Sequence, residues 1–446
     1  MNPRAIPNAA ALASRPTQVR WRILGCVMLM TFLTYVDRLN LSIAGQAIQR
    51  ELALSTETMG WLFSAFLLGY ALLQIPGGWL GDKFGGRNVL FGAVLWWSVF
   101  TALTAVAPNL VLARWFGVAW SFAIVRFLVG AGEAASQPSM NKIVAAWTGT
   151  SRRGLGASFS IVGIGFGGAM TPVLIAWIMQ RWGWRSSFFL AGAAGIVAAL
   201  LWRWYVTDRP EQHRGVNAAE LALLRRQSKD EPSTEASRRT PWKRILSSLS
   251  TWGLLLGYFC QGFPIYFFHT WFFIYLVNIR GLSLTKGSFF GSLPYVAIVC
   301  LVPLGGIFSD FAVKKLGKRY GRQLAIGTGM ILSAVLLWTG SSTANNTVAI
   351  LLLAAGAGFN LFAAVTFWAI CIDLTTEFTA SVSALMNTFG NLGGWLSPVV
   401  TAYLAAHYGW PRALLCVSVV TLASAAFALL IRADQSLDTP HPHQRW

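Results

Sequence analysis

Twelve apolar stretches, each long enough to cross a bilayer as a helix, leave this chain almost no choice of fold class. They fall near 21–45, 59–80, 88–107, 115–140, 155–178, 186–205, 251–277, 288–308, 323–341, 347–371, 381–404 and 411–431 of its 446 residues. About 20 apolar residues span the hydrocarbon core as an α-helix, a structure that satisfies its own backbone hydrogen bonds where no water is present. Only 11% of the residues are charged, against roughly 25% in soluble domains, so an ordinary soluble protein is excluded. The net charge of +19 would point to nucleic acid in a soluble chain. Here the cations lie between apolar runs, so the expected partner is the lipid bilayer and no nucleic acid is expected.

The one long polar interruption, 206–244, divides the helices six and six. The expected organisation is an N-terminal tail over 1–20, a six-helix bundle over 21–205, a central loop over 206–244, a second bundle over 245–432 and a C-terminal tail over 433–446. With the N-terminus inside, about 26 basic residues lie on the cytoplasmic side and about 7 outside, so both tails and the central loop are predicted cytoplasmic. The basic start of the chain runs into the first apolar stretch without a cleavage site, as a cytoplasmic tail does. The 225–240 stretch, rich in charge and Ser/Thr, is expected to lack firm order. The five cysteines are scattered through apolar sequence and suggest neither a metal site nor a disulfide framework.

The halves repeat one another. GGAMTPV at 167–173 recurs as GGWLSPV at 393–399, and Gly183-Trp184 recurs as Gly409-Trp410, both at an offset of 226 residues. Gly78 and Asp82 are matched at nearly that offset by Gly306 and Asp310. An all-α membrane protein of twelve transmembrane helices in two pseudo-symmetric six-helix bundles is a transporter architecture, with its substrate site at mid-membrane between the halves.

GWLGDKFGGR at 78–87, after the second helix, resembles the cytoplasmic motif of the major facilitator superfamily. Its glycines allow close helix approach, and Asp82 can cap a neighbouring helix and pair with Arg87. Gly78, Asp82, Gly85, Arg87 and the repeat's Asp310 are therefore read as a conformational latch, governing equilibrium more than affinity. Within the superfamily the chain resembles the anion:cation symporter family, whose bacterial members import sugar acids such as aldonates, aldarates and hexuronates with protons. The residues that carry this resemblance are YVDRLN at 35–40, Phe66, Tyr70, Gln74 and PGG at 76–78, RFLVGAGEA at 126–134, DRPEQH at 208–213, YFFHTW at 266–271, and MNTFGN at 386–391.

Four charges sit deep in apolar helices: Asp37, Arg38, Arg126 and Glu133. Each costs roughly 2.5–3.5 kcal/mol at a helix centre on insertion scales, so they must face one another or a wet cavity. Arg126 and Glu133 are two helical turns apart and share a face, whereas Asp37 and Arg38 point about 100° apart. A purely structural cluster of compensated pairs is one reading, but desolvation makes such clusters a poor source of stability. Arg offers a fork matched to a carboxylate, and an acid whose Arg is claimed by an incoming anion takes up a proton. The resemblance implies Asp37 and Glu133 as proton carriers and Arg38 and Arg126 at or beside the substrate carboxylate; which Arg does which is left open.

Tyr35, Tyr70, Tyr266, His269, Trp368, Asn387 and Asn391 are the remaining candidates for substrate contact. Helix-to-helix packing is the competing reading for each of them, and the favoured one for His269, where the resemblance implies an apolar residue. Phe273 replaces a proline common in the family, so a break in the seventh helix is expected at Pro264 and Gly262. The fifth helix offers only Ser160 as a polar group near the cavity, which allows a bulkier or less hydroxylated carboxylate. The expected protein is a monomeric proton-coupled importer of a small organic anion in the bacterial inner membrane, with protons as coupling ion and no cofactor or metal. A proton-coupled exporter is the runner-up. A membrane enzyme lacks paired His/Glu at metal spacing, and a channel would not need a single compensated site.

Overall fold

The computed structural model describes residues 15–148, 153–228, 242–375, 378–435 and 437, among which every regular element is a helix. In the first half α1 is Val19–Leu52, α2 Thr56–Phe84 and α3 Gly86–Thr104; α4 runs Val118–Glu133 and continues as Ser136–Thr148; α5 is Arg153–Trp182 and α6 Trp184–Tyr205. In the second half α7 is Leu249–Thr270 continued by Phe272–Ile279. Leu284–Ser342 holds two spans, because Gly317 at φ 77° interrupts it: α8 ends at 316 and α9 fills 318–342. Asn346–Leu374 is α10, Thr379–Tyr408 α11 and Trp410–Ala428 α12. Eight of these elements, or nine with the bent α7, are long and apolar enough to cross a membrane by length and composition. The remaining spans are α3, the second helix within 284–342, and α11, whose Ser, Thr, Asn and Gly residues dilute its hydropathy. The protein is a multi-pass membrane protein, and its described residues supply twelve such spans.

The recurring Gly-Trp pair has a local cause. Gly183 (φ 78°) and Gly409 (φ 83°) occupy the N-cap positions of α6 and α12, a left-handed backbone that Ala would strain. Outward faces carry exposed apolar side chains such as Leu72, Ile75, Val197 and Leu200, which a hydrocarbon solvent leaves at no cost.

The break in α7 corrects the sequence-based expectation. Pro264 and Gly262 lie inside a continuous helix, and the chain bends by 51° at Trp271 instead. There the indole N–H donates to Pro398 O at 3.0 Å and the ring packs edge-on against Phe63. Gly262 serves contact: a Cβ on it would lie 2.3 Å from Gly390 O.

The halves meet at the end opposite the chain termini. Ser42 donates to Thr270 O (2.6 Å) and Gln46 to Asn278 between α1 and α7; Ser64 donates to Trp395 O (2.7 Å) and Glu57 pairs with His407 (3.4 Å) between α2 and α11; Gln180 donates to Thr285 (2.9 Å) between α5 and α8. Among the described residues, the hydrogen bonds between halves that lie nearest the terminal end join Gln74 to Asn391 and Ser292 to Ala169. The far end is therefore the bridged one, and among the described residues no hydrogen bond joins the halves nearer the terminal end than these two.

The central loop is more structured than expected. Helix Ala218–Ser228 brings buried Glu220 under α1, where its carboxylate accepts Thr17 O–H (2.6 Å) and the N–H groups of Val19 (3.0 Å) and Arg20 (3.1 Å). A carboxylate on free helix N–H groups is a favourable cap. His213 accepts Gly215 N–H on Nδ1 and sits edge-on to Trp147 and Tyr205; burial pushes its pKa below the ordinary histidine value. Of the stretch expected to lack order, 225–240, residues 229–240 lie outside the described residues, as do 1–14 of the N-terminal tail.

Candidate functional site

The site is built by the close approach of α2 and α4. A Cβ on Gly130 would lie 2.0 Å from Phe66 O, and one on Gly69 would lie 2.2 Å from Phe127 O, so only glycine admits this contact. It brings Arg126 and Glu133 against α1, where Asp37 and Arg38 wait. Arg38 Nε donates to Glu133 Oε1 at 2.5 Å, with Glu133 fully buried and the Arg38 side chain 17% exposed. The Arg38 guanidinium also lies 4.8 Å from the Tyr70 ring, 5.7 Å from Phe66 and 5.8 Å from Tyr35. Arg126 is buried with its guanidinium 5.1 Å from the Phe66 ring, which Arg38 also approaches. It stands within electrostatic reach of Asp37, which lies beside Trp97 and Thr101 of α3.

Two acids and two bases make the cluster neutral, yet its hydrogen bonding is incomplete. Asp37 Oδ1, Glu133 Oε2 and Arg126 Nε and Nη1 have no hydrogen-bond partner among the described residues. Buried polar atoms are nearly always paired, so four in one cluster single this place out as the candidate site.

The second half supplies the facing wall. Tyr266 O–H donates to Asn391 Oδ1 (3.3 Å), and Asn391 Nδ2 donates to Gln74 Oε1 on α2 (3.2 Å). His269 is ringed by Tyr35, Tyr266 and Tyr295, with centroids 5.8, 5.3 and 5.9 Å away, and its Nδ1 is without a partner. Trp368, 44% exposed, donates to Tyr258 O–H at 3.1 Å. Asn387 is half-buried one turn from Asn391. Ser160 is buried with its hydroxyl unpaired. The sequence placed Gln74 among the residues that carry the resemblance but not among the contact candidates, which also lacked Tyr258 and Tyr295. The i, i+4, i+8 spacing of Phe66, Tyr70 and Gln74 on one helix face was a usable signal for the first; nothing in local sequence marked the other two.

The latch residues are arranged differently from the expectation. Asp82, 82% exposed, pairs with Lys142 of α4 at 3.2 Å and not with Arg87. The cap on α3 comes from Asp208, whose Oδ1 accepts Arg87 N–H at 2.9 Å, while the Arg87 guanidinium donates to Arg203 O. Gly85 (φ 84°) makes the turn between α2 and α3, and a Cβ there would lie 2.7 Å from the Asp208 carboxylate; Gly78 lies in ordinary contact range of Pro138. In the second half Asp310 meets Arg322 at 3.3 Å, but Arg322 binds Asp373 more closely, at 2.9 Å. Asp208→Ala is therefore expected to cost about 1 kcal/mol as a lost helix cap, and Asp82→Asn less, as an exposed pair. Thermal unfolding in detergent checks the order; a larger loss for Asp82→Asn contradicts it.

The profile of the Major Facilitator Superfamily matches residues 27–398 and 311–445. A probable galactarate/D-glucarate transporter of Bacillus subtilis is 34% identical over 408 residues, covering 89% of this chain and 88% of that protein. A probable sulfoacetate transporter of Cupriavidus necator is 31% identical over 425 residues, covering 95% and 96%. Among solved structures, a bacterial homologue of the human lysosomal transporter Spinster superposes with a TM-score of 0.75 at 17% identity, covering 93% of this chain and 97% of that one. A D-xylose-proton symporter superposes at 0.70, also at 17% identity, covering 92% and 97%. At such identity these structures bear on the fold alone.

Proposed function

Because this chain belongs to the major facilitator superfamily, we propose that it is a secondary active transporter that imports a small organic anion, a sugar acid or related carboxylate, together with protons. The observation that carries this reading is the Arg38–Glu133 pair: a partly exposed guanidinium held by a fully buried acid at 2.5 Å, inside a neutral cluster with unpaired atoms. The names of its relatives, which refer to galactarate, D-glucarate and sulfoacetate, agree with an anionic substrate.

An anion arriving at Arg38 competes with Glu133 for the guanidinium. Its carboxylate takes the fork, Glu133 loses its counter-ion, and the buried acid takes up a proton. The site then carries anion and proton together, and one neutral load crosses. Asp37 with Arg126 forms a second acid and base pair behind Phe66, able to relay or share that proton. Tyr35, Tyr70, Tyr266, His269, Trp368, Asn387 and Asn391 line the body of the substrate from both halves. With the termini and the linker on the cytoplasmic side of a bacterial inner membrane, the unbridged end is read as the open end facing the cytoplasm, and this conformation as the releasing one. Alternating access closes that end and parts α1–α7 and α2–α11 at the other.

The test is uptake in proteoliposomes across a panel of labelled organic acids. An inward proton gradient is expected to drive accumulation that a protonophore abolishes, and internal unlabelled solute should drive counterflow. Counterflow without any response to the gradient would make the protein an exchanger and end the symport reading.

A further inference from the structure

The facing wall of the site is short of one chemical feature, a second cation. No Lys or Arg occurs between Arg322 and Arg412, a stretch that includes all of α10 and α11. In α7 and α8 the cations are Arg280 and Lys286 at the closed end, together with Lys314 and Lys315 at the open end. Arg280 is committed to carbonyls at the end of α9, Thr343 O at 2.6 Å and Gly340 O at 3.0 Å, and Lys286 is exposed. On the other side, Arg126 is buried behind Phe66 with Asp37, so Arg38 is the one partly exposed guanidinium at mid-membrane among the described residues.

The polar groups opposite Arg38 are also largely engaged with one another. Tyr266, Asn391 and Gln74 form one chain of hydrogen bonds, Trp368 binds Tyr258, and Gln261 Nε2 donates to Asn360 Oδ1 at 2.7 Å. The exceptions are His269 Nδ1, among three tyrosine rings, and the Tyr295 hydroxyl, which have no partner among the described residues and can offer a hydrogen bond. A carboxylate laid against that wall would be desolvated without a counter-ion, and such a charge is strongly unfavourable.

We propose that the site selects a monoanion, with one carboxylate at Arg38 and an uncharged body against the aromatic wall, and discriminates against dicarboxylates. This rests on the reading of Arg38 as the carboxylate contact, and it departs from the dicarboxylates for which some relatives are named. Competition binding to the purified wild-type protein tests it with two matched pairs: galactonate against galactarate, which share a six-carbon hydroxylated chain, and benzoate against terephthalate, which share a ring. In whichever pair binds, the monoanion should compete at about tenfold lower concentration or less. A dianion that competes as well as its monoanion overturns the proposal while leaving the anion site intact. If no member of either pair binds, and uncharged analogues do, the Arg38 reading itself fails and takes this proposal with it.

Discussion

Glu133→Gln is expected to abolish accumulation against a gradient while downhill exchange continues. The amide has the shape of the protonated acid but holds no exchangeable charge, so the variant behaves as though its proton were always bound. A gradient of one pH unit is worth about 1.4 kcal/mol per coupled proton, which is tenfold accumulation at zero voltage. That factor should fall to one in the variant. Arg38 meanwhile loses the carboxylate 2.5 Å away, so anion binding at alkaline pH should rise to the level the wild type reaches at acid pH. Asp37→Asn should also uncouple uptake if both acids carry the proton, although its link to the substrate runs through Arg126 and is less direct. The measurement is uptake against counterflow in the same liposomes. Full pH-driven accumulation in both variants would move the proton elsewhere, with His269 the next candidate. Removing one member of a buried pair strands the other, so folding of each variant is checked by thermal unfolding.

The twelve spans were legible because bilayer thickness imposes a length that composition alone reveals, and the two halves because glycines recur, at Gly183 and Gly409 where φ is positive and at Gly167, Gly168, Gly393 and Gly394 where helices pack closely. The charged cluster was legible for a related reason, since charge is conspicuous in apolar helices. What escaped notice depends on contacts between distant parts of the chain. Asp208 caps a helix that begins 122 residues earlier at Gly86, and Glu220 caps one that begins at Val19; neither carries a local signature of the job. The expectation for α7 failed the same way: proline is the visible helix breaker, but membrane helices tolerate it, and the bend follows where Trp271 is tied to Pro398 across the bundle. For the two arginines the sequence offered equal candidates. Burial separates them, since Arg126 lies behind Phe66 and Arg38 is partly exposed.

That separation makes Arg38→Lys the most informative substitution at the site. Lysine keeps the charge and much of the length, so electrostatic attraction of the anion survives. It loses the planar fork for which the incoming carboxylate competes with Glu133. It also loses the flat face that lies 4.8 Å from the Tyr70 ring. Affinity for the transported acid is expected to fall by about tenfold or more, each decade being about 1.4 kcal/mol. Arg126→Lys should weaken binding less, because its guanidinium is buried beside Phe66, whereas that of Arg38 is partly exposed. Isothermal titration of both variants against one carboxylate gives the comparison, and an amide analogue of the same acid gives the control. If the amide binds the wild type as tightly as the acid, or if Arg126→Lys is the more damaging change, the carboxylate is not held at Arg38 and the Arg38–Glu133 pair is a structural clamp between α1 and α4.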